Sequence, residues 1–177
     1  MKAAFLALPN CEIWQVATLQ RLLTERGWSM RTLTIGGQTV CTDGGVRLVP
    51  DGDVYHTFPG DFGLLVVAGG TITEQDTRDP GLMRFLRQYD ASGGAIACIG
   101  SGAAVVGAAG LLGGLHTAVD SDVVQAFPDA FNHAILTDEL IALDGSVTTA
   151  HRDAYERFGE VTLELTETYH LARRKQP

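Results

Sequence analysis

The chain has 177 residues, 45% of them hydrophobic and 19% charged, with a formal net charge of −8. That is enough to bury one continuous core, and too apolar for a disordered chain. The acidic balance excludes a nucleic-acid or anionic-membrane surface, since nothing would neutralise phosphate. The basic run Arg173-Arg174-Lys175 reads as a solvated tail. Three cysteines, Cys11, Cys41 and Cys98, form no disulfide framework, and reduced cytosolic thiols are the simpler account. The apolar start stops at Pro9-Asn10, too short for a signal peptide or a membrane span.

In chain order, residues 3–8 read as a buried strand. Residues 12–26 read as a helix, with Ile13, Val16, Leu19, Leu22 and Leu23 at helical spacing and Gly27 as its stop. Residues 28–35 return as a strand. Residues 38–49 carry Gly44-Gly45 between two short β-prone pieces, a hairpin pattern. Residues 64–68 are wholly apolar, as in a strand covered on both faces. A helix over 80–90 follows Asp79-Pro80. Residues 95–99 form another buried strand, then Gly100-Ser101-Gly102, then a small-residue helix over 103–112. Two short strands flank Asp144-Gly145 within 133–149, and a final helix covers 151–173. This alternation predicts one α/β domain over 1–177: a three-layer, flavodoxin-like sandwich with a mainly parallel sheet.

In such a sheet, ligands bind at the carboxyl ends of the strands. Three loops lie there: Pro9-Asn10-Cys11-Glu12, Gly69-Gly70-Thr71 and Gly100-Ser101-Gly102. The last has the form of a nucleophile elbow, or of a tight turn with no chemistry. It is not a dinucleotide fingerprint, because position 105 is Val, and no Gly-Lys-Ser/Thr phosphate loop is present. No cofactor is predicted. His116, His133 and His151 show no metal-ligand spacing, so no metal site is predicted either.

Ala68-Gly69-Gly70, the stretch from Ala95 to Gly102 and Ala109-Gly110-Leu111-Leu112 together resemble the ThiJ/PfpI family. That family belongs to the class I glutamine amidotransferase-like superfamily. Val147-Thr148-Thr149-Ala150 resembles its closing strand, and Glu12 the glutamate that partners its cysteine. The resemblance places Gly100, not a thiol, at the nucleophile position, with Cys98 inside the preceding strand. The family's downstream histidine falls near Val119, and His116 lies three residues early. The resemblance also implies a cytoplasmic homodimer with a small-molecule pocket. The backbone N–H groups of Gly70 and Ser101, beside Gly69, would serve as oxyanion or ligand donors.

Several residues keep two readings. Glu12 is a general acid/base or a first-turn helix carboxylate. Cys11 is a relocated thiol or an inert cysteine. Ser101 offers a hydroxyl nucleophile, or caps the helix and donates its N–H. Trp14 lines the pocket or packs in the core, and Tyr55 and His56 serve as pocket or dimer contacts. Three functions follow. The first is a non-covalent, Glu12-dependent hydratase, lyase or isomerase of small carbonyl compounds. The second is a catalytically silent binding or regulatory homologue. The third is a hydrolase or glyoxalase-like enzyme using Cys11.

Overall fold

The structure is a computed structural model and describes residues 1–174. In chain order the elements are β1 (Lys2–Leu6), α1 (Ala17–Glu25), β2 (Ser29–Thr34), β3 (Val40–Cys41), β4 (Arg47–Leu48), β5 (Gly52–Asp53), β6 (Leu64–Val67), α2 (Glu74–Thr77), α3 (Pro80–Ser92), β7 (Ala95–Ile99), α4 (Gly102–Ala108), β8 (His116–Thr117), α5 (Ser121–Ala126), α6 (Pro128–Phe131), β9 (Ile135–Leu136), β10 (Ile141–Asp144), β11 (Val147–Ala150) and α7 (Tyr155–Arg174). Seven strands make the main sheet in the order β10-β11-β7-β6-β1-β2-β5. Only the β10–β11 pair in it is antiparallel. The expected α/β sandwich with a mainly parallel sheet is therefore present.

The apolar strands are buried on both faces because each face feeds a separate core. Leu65, Val67, Ile96 and Cys98 face Leu82, Phe85, Leu86 and Tyr89 of α3. Their alternates Leu64, Val66, Ala97 and Ile99 face Leu19 and Leu23 of α1 and Phe158 and Leu163 of α7. Each fully buried large side chain contributes about 1.5–3 kcal/mol, so a one-residue slip in β6 or β7 would exchange the two cores. Asp79 starts α3: its side chain accepts from Leu82 N at 2.6 Å, with Pro80 at the first helical position.

The chain departs from its sequence pattern in a few places. The segment over 12–26 opens with a 3-10 turn, Ile13–Val16, before α1. The small-residue helix ends at Ala108, because Gly110 takes φ +84° and turns the Ala-Gly-Leu-Leu run out of helical geometry. Residues 116–136 hold four short elements, β8, α5, α6 and β9, none with a full helical or strand period to betray it. Of the basic C-terminal run, Lys175 lies outside the described residues. Arg173 is no free tail: its guanidinium donates to Gly93 O and sits 5.8 Å over the Tyr169 ring. No helix among the described residues is long and apolar enough to cross a membrane.

The sheet order fixes where a ligand can sit. From β1 the chain steps outward to β2 and β5, then returns to β6 on the opposite side of β1. Connections leave β1 and β6 in opposite directions, which opens a crevice at their carboxyl ends.

Candidate functional site

Backbone bonds stitch the loops after β1 and β6 together across that crevice. Glu12 N donates to Gly69 O at 2.9 Å and Thr71 N to Pro9 O at 2.8 Å. Asn10, held at φ +51°, donates from its side chain to Thr71 Oγ1 at 3.0 Å. The third loop is the bend after β7. Gly100 occupies it at φ +56°, a conformation that favours glycine. Cys98 lies two residues earlier, inside β7, paired with Val67 on one side and Thr149 on the other. It is fully buried, and burial pushes its thiol up to about 12. Its sulfur is therefore protonated and shut away from the bend.

Glu12 reaches the crevice from the end of the first loop. Gln15, wholly buried one turn later, donates from Nε2 to Glu12 Oε2, and Gln15 Oε1 accepts from Gly69 N at 2.8 Å. The carboxylate can approach so closely because residue 69 has no side chain: a Cβ there would lie 2.5 Å from Glu12 Oε2. Burial holds the Glu12 carboxyl above its ordinary value; Arg152 opposes this, while Asp43 and Asp120 add to it.

The Ser101 hydroxyl does not cap α4. It accepts from Gly70 N at 3.0 Å and donates to Gly70 O at 2.9 Å. The Gly70 N–H, expected as an oxyanion donor, thus already has an acceptor, and so has the Gly69 N–H in Gln15. Of the three expected backbone donors, the Ser101 N–H alone has no protein acceptor among the described residues.

Cys11 is completely buried, and burial followed by Asp43 pushes its thiol up to about 11. An activated thiolate needs the reverse, an exposed and electropositive setting. Trp14 neither lines the cavity nor enters the core. It is 39% exposed, donates to Asp43 Oδ2 at 2.9 Å and meets the Tyr155 ring edge-on at 5.0 Å. The exposed His116 side chain pairs with Asp144 at 2.9 Å, and Val119, at the position aligned with the family's histidine, is buried in the core. Tyr55 donates to Asp79 at 2.9 Å, and His56 lies 3.0 Å from Asp53. Neither lines the cavity described next.

The site also contains residues that the sequence did not single out. Arg152, just past β11, donates from one guanidinium nitrogen to both oxygens of Asp122, at 2.7 and 2.6 Å. Asp120 accepts from the Arg152 backbone N at 3.0 Å and lies 3.4 Å from its Nε. Hydrogen bonding to Arg152 holds the Asp122 carboxyl below its ordinary range. His151 Nδ1 is 3.7 Å from Asp120, and its Nε2 is buried with no partner among the described residues. Gln15 was visible as a polar residue one turn after Glu12 in an otherwise apolar stripe. Arg152 had the signal of position, directly after the closing strand. Asp120 and Asp122 carried none. Together Glu12, Gly70, Ser101, Asp122, Phe127 and Arg152 border a cavity of about 290 Å³.

Comparison with known proteins establishes the fold and the family. Over 118 residues the chain is 30% identical to the HTH-type transcriptional regulator CdhR of Pseudomonas aeruginosa, covering 67% of this chain and 34% of that protein. It therefore spans about a third of that relative. A ThiJ/PfpI domain protein from Brachyspira murdochii superposes with a TM-score of 0.83 at 14% identity, over 94% of this chain and 96% of the other. An AraC family transcriptional regulator from Pseudomonas putida superposes with a TM-score of 0.75 at 21% identity, over 97% and 98%. At these identities the superpositions establish the fold alone. The family model described as DJ-1/PfpI matches residues 1–165, so the chain belongs to the DJ-1/PfpI family.

Proposed function

We propose that this chain binds a small molecule without forming a covalent bond to it, and that binding, not turnover, is its role. The observation that carries this is the bend itself. Gly100 offers no nucleophile, while an open cavity bounded by Glu12 and Arg152 persists beside it. Two features support the reading. The Gly70 N–H that would stabilise an oxyanion is engaged by Ser101, and the relatives include proteins named as transcriptional regulators. The test is a screen of small polar metabolites by thermal unfolding. A ligand at a hundred times its Kd should stabilise by about 2.7 kcal/mol, with no consumption of 2-oxoaldehydes or amides. Efficient turnover of either overturns the proposal.

One observation favours a second reading, the Glu12-dependent hydratase, lyase or isomerase. The Glu12 carboxyl borders the cavity and is held above its ordinary value, as suits a general acid or base. In that case Glu12→Gln abolishes turnover, and turnover surviving in the variant refutes it. The Cys11 reading meets the burial and raised pKa given above. Alkylation kinetics decide it: exposed Cys41 should label first, and fast labelling of Cys11 would revive thiol chemistry. The homodimer implied by the family remains a proposal, for light scattering on the purified chain to decide.

A further inference from the structure

We propose that Phe127 sets the length of the ligand this site accepts: the cavity beside Glu12 and Arg152 takes a short molecule with a polar head, and Phe127 shuts the tail of a longer one out of a second cavity on its far side. This rests on the binding reading above. The second cavity is also about 290 Å³ and is bordered by α2 and by residues of α4–α6, with Ala108, Pro128 and Ala130 among its walls. Ala126 and Phe127 border both cavities. Small-molecule sites generally run to about 300–1,000 Å³. Each cavity alone sits at the lower limit, and the two joined fall within the range.

The chemistry of the two halves differs. In the first, Arg152 supplies donors while Glu12 and Asp122 supply acceptors. An uncharged head with both a carbonyl and an N–H, such as a primary amide, complements that mixture. In the second, Arg78 lies 3.3 Å from Glu74 with both side chains in water, and Asp129 and Thr77 add further polar groups. The apolar part of its wall is Ala108, Phe127, Pro128 and Ala130. Its backbone cannot retreat, because a Cβ at Gly107 of α4 would collide with Ala130 O of α6. Phe127 is equally well fixed. It ends α5 and begins α6, its N donating to Val123 O at 3.0 Å and its O accepting from Ala130 N at 3.0 Å. Its half-buried side chain packs on the larger core. A rigid partition of this kind sets the length of tail the site accepts.

The experiment is an NMR titration of the ¹⁵N-labelled chain with straight-chain primary amides, from acetamide to octanamide. In the natural chain, affinity should rise about fourfold per buried methylene and then level off once the first cavity is full. In Phe127→Ala the rise should continue to the longer amides, with new shifts at Ala108 and Ala130. Adding Ala108→Phe should cancel the gain. Phe127→Leu is the milder variant should alanine impair folding. The same plateau in natural and variant chains overturns the partition. No shift at residues 12, 101 and 152 with even the short amides overturns the amide head and with it this proposal, whereas failure of the whole metabolite screen overturns the binding reading beneath it.

Discussion

The bend after β7 and the charged rim around Arg152 face the same cavity but are built in opposite ways. The bend is a short local motif, and its geometry is enforced by the absence of side chains. A Cβ on Gly102 would lie 2.6 Å from Val67 O and 2.7 Å from Ala68 O. The rim is assembled from Asp120, Asp122 and Arg152, about thirty residues apart in sequence, and its geometry is enforced by charge and hydrogen bonding. The first tolerates almost no change in volume. The second tolerates changes in shape and is sensitive to the loss of one particular carboxylate. The scaffold at the bend depends on the side chain that glycine lacks.

The contrast can be broken or sharpened by four measurements. The largest effect is expected from Gly102→Ala. Its new methyl group meets backbone oxygens that cannot move aside, and the cost should be about 3 kcal/mol in urea unfolding. A neutral result would mean that the bend is softer than its contacts imply. Next comes Asp120→Ala, which strips the acceptor from the Arg152 backbone N and should cost about 1–3 kcal/mol. Asp122→Ala removes a carboxylate that is 67% exposed and should cost less than about 1 kcal/mol. Equal losses for the two aspartates would erase the distinction between the rim's anchor and its ornament.

The smallest effects are in pH dependence, and their signs differ. The folded Glu12 carboxyl ionises above its ordinary value of 4.5, so between the two values the folded chain holds an extra proton. Stability therefore falls as pH rises through that window. Glu12→Gln should flatten the fall. Asp122 is shifted downward. Its contribution is present above the ordinary carboxylate value and is lost as pH falls through the lower folded one, a loss that Asp122→Asn should remove. Unfolding curves across the acid range check both.

The same contrast explains what could be read in advance. The buried strands, the bend and the hairpin around Gly44-Gly45 were legible because apolar runs and glycines act locally. Cys98 could be placed inside its strand by the apolar run from Ala95 to Ile99, and the family resemblance put Gly100 at the bend. Glu12 was legible through the family resemblance, and its partner Gln15 was missed although it stood one turn away. The rim was not legible. Asp120 and Asp122 lie in a stretch of short elements with no period, and only the fold brings them to Arg152. The fate of the Gly70 N–H was equally hidden, because sequence locates a donor without saying what has already claimed it.

The two bonds between Ser101 and Gly70 have a mechanical consequence. A single hydroxyl grips both polar groups of one peptide residue, so the loop following β6 and the start of α4 behave as one rigid piece. A molecule that displaces Gly70 must drag α4 along or first tear both bonds. The cavity wall is thereby tied to α4, which packs against α6 so closely that a Cβ at Gly107 would lie 2.4 Å from Ala130 O.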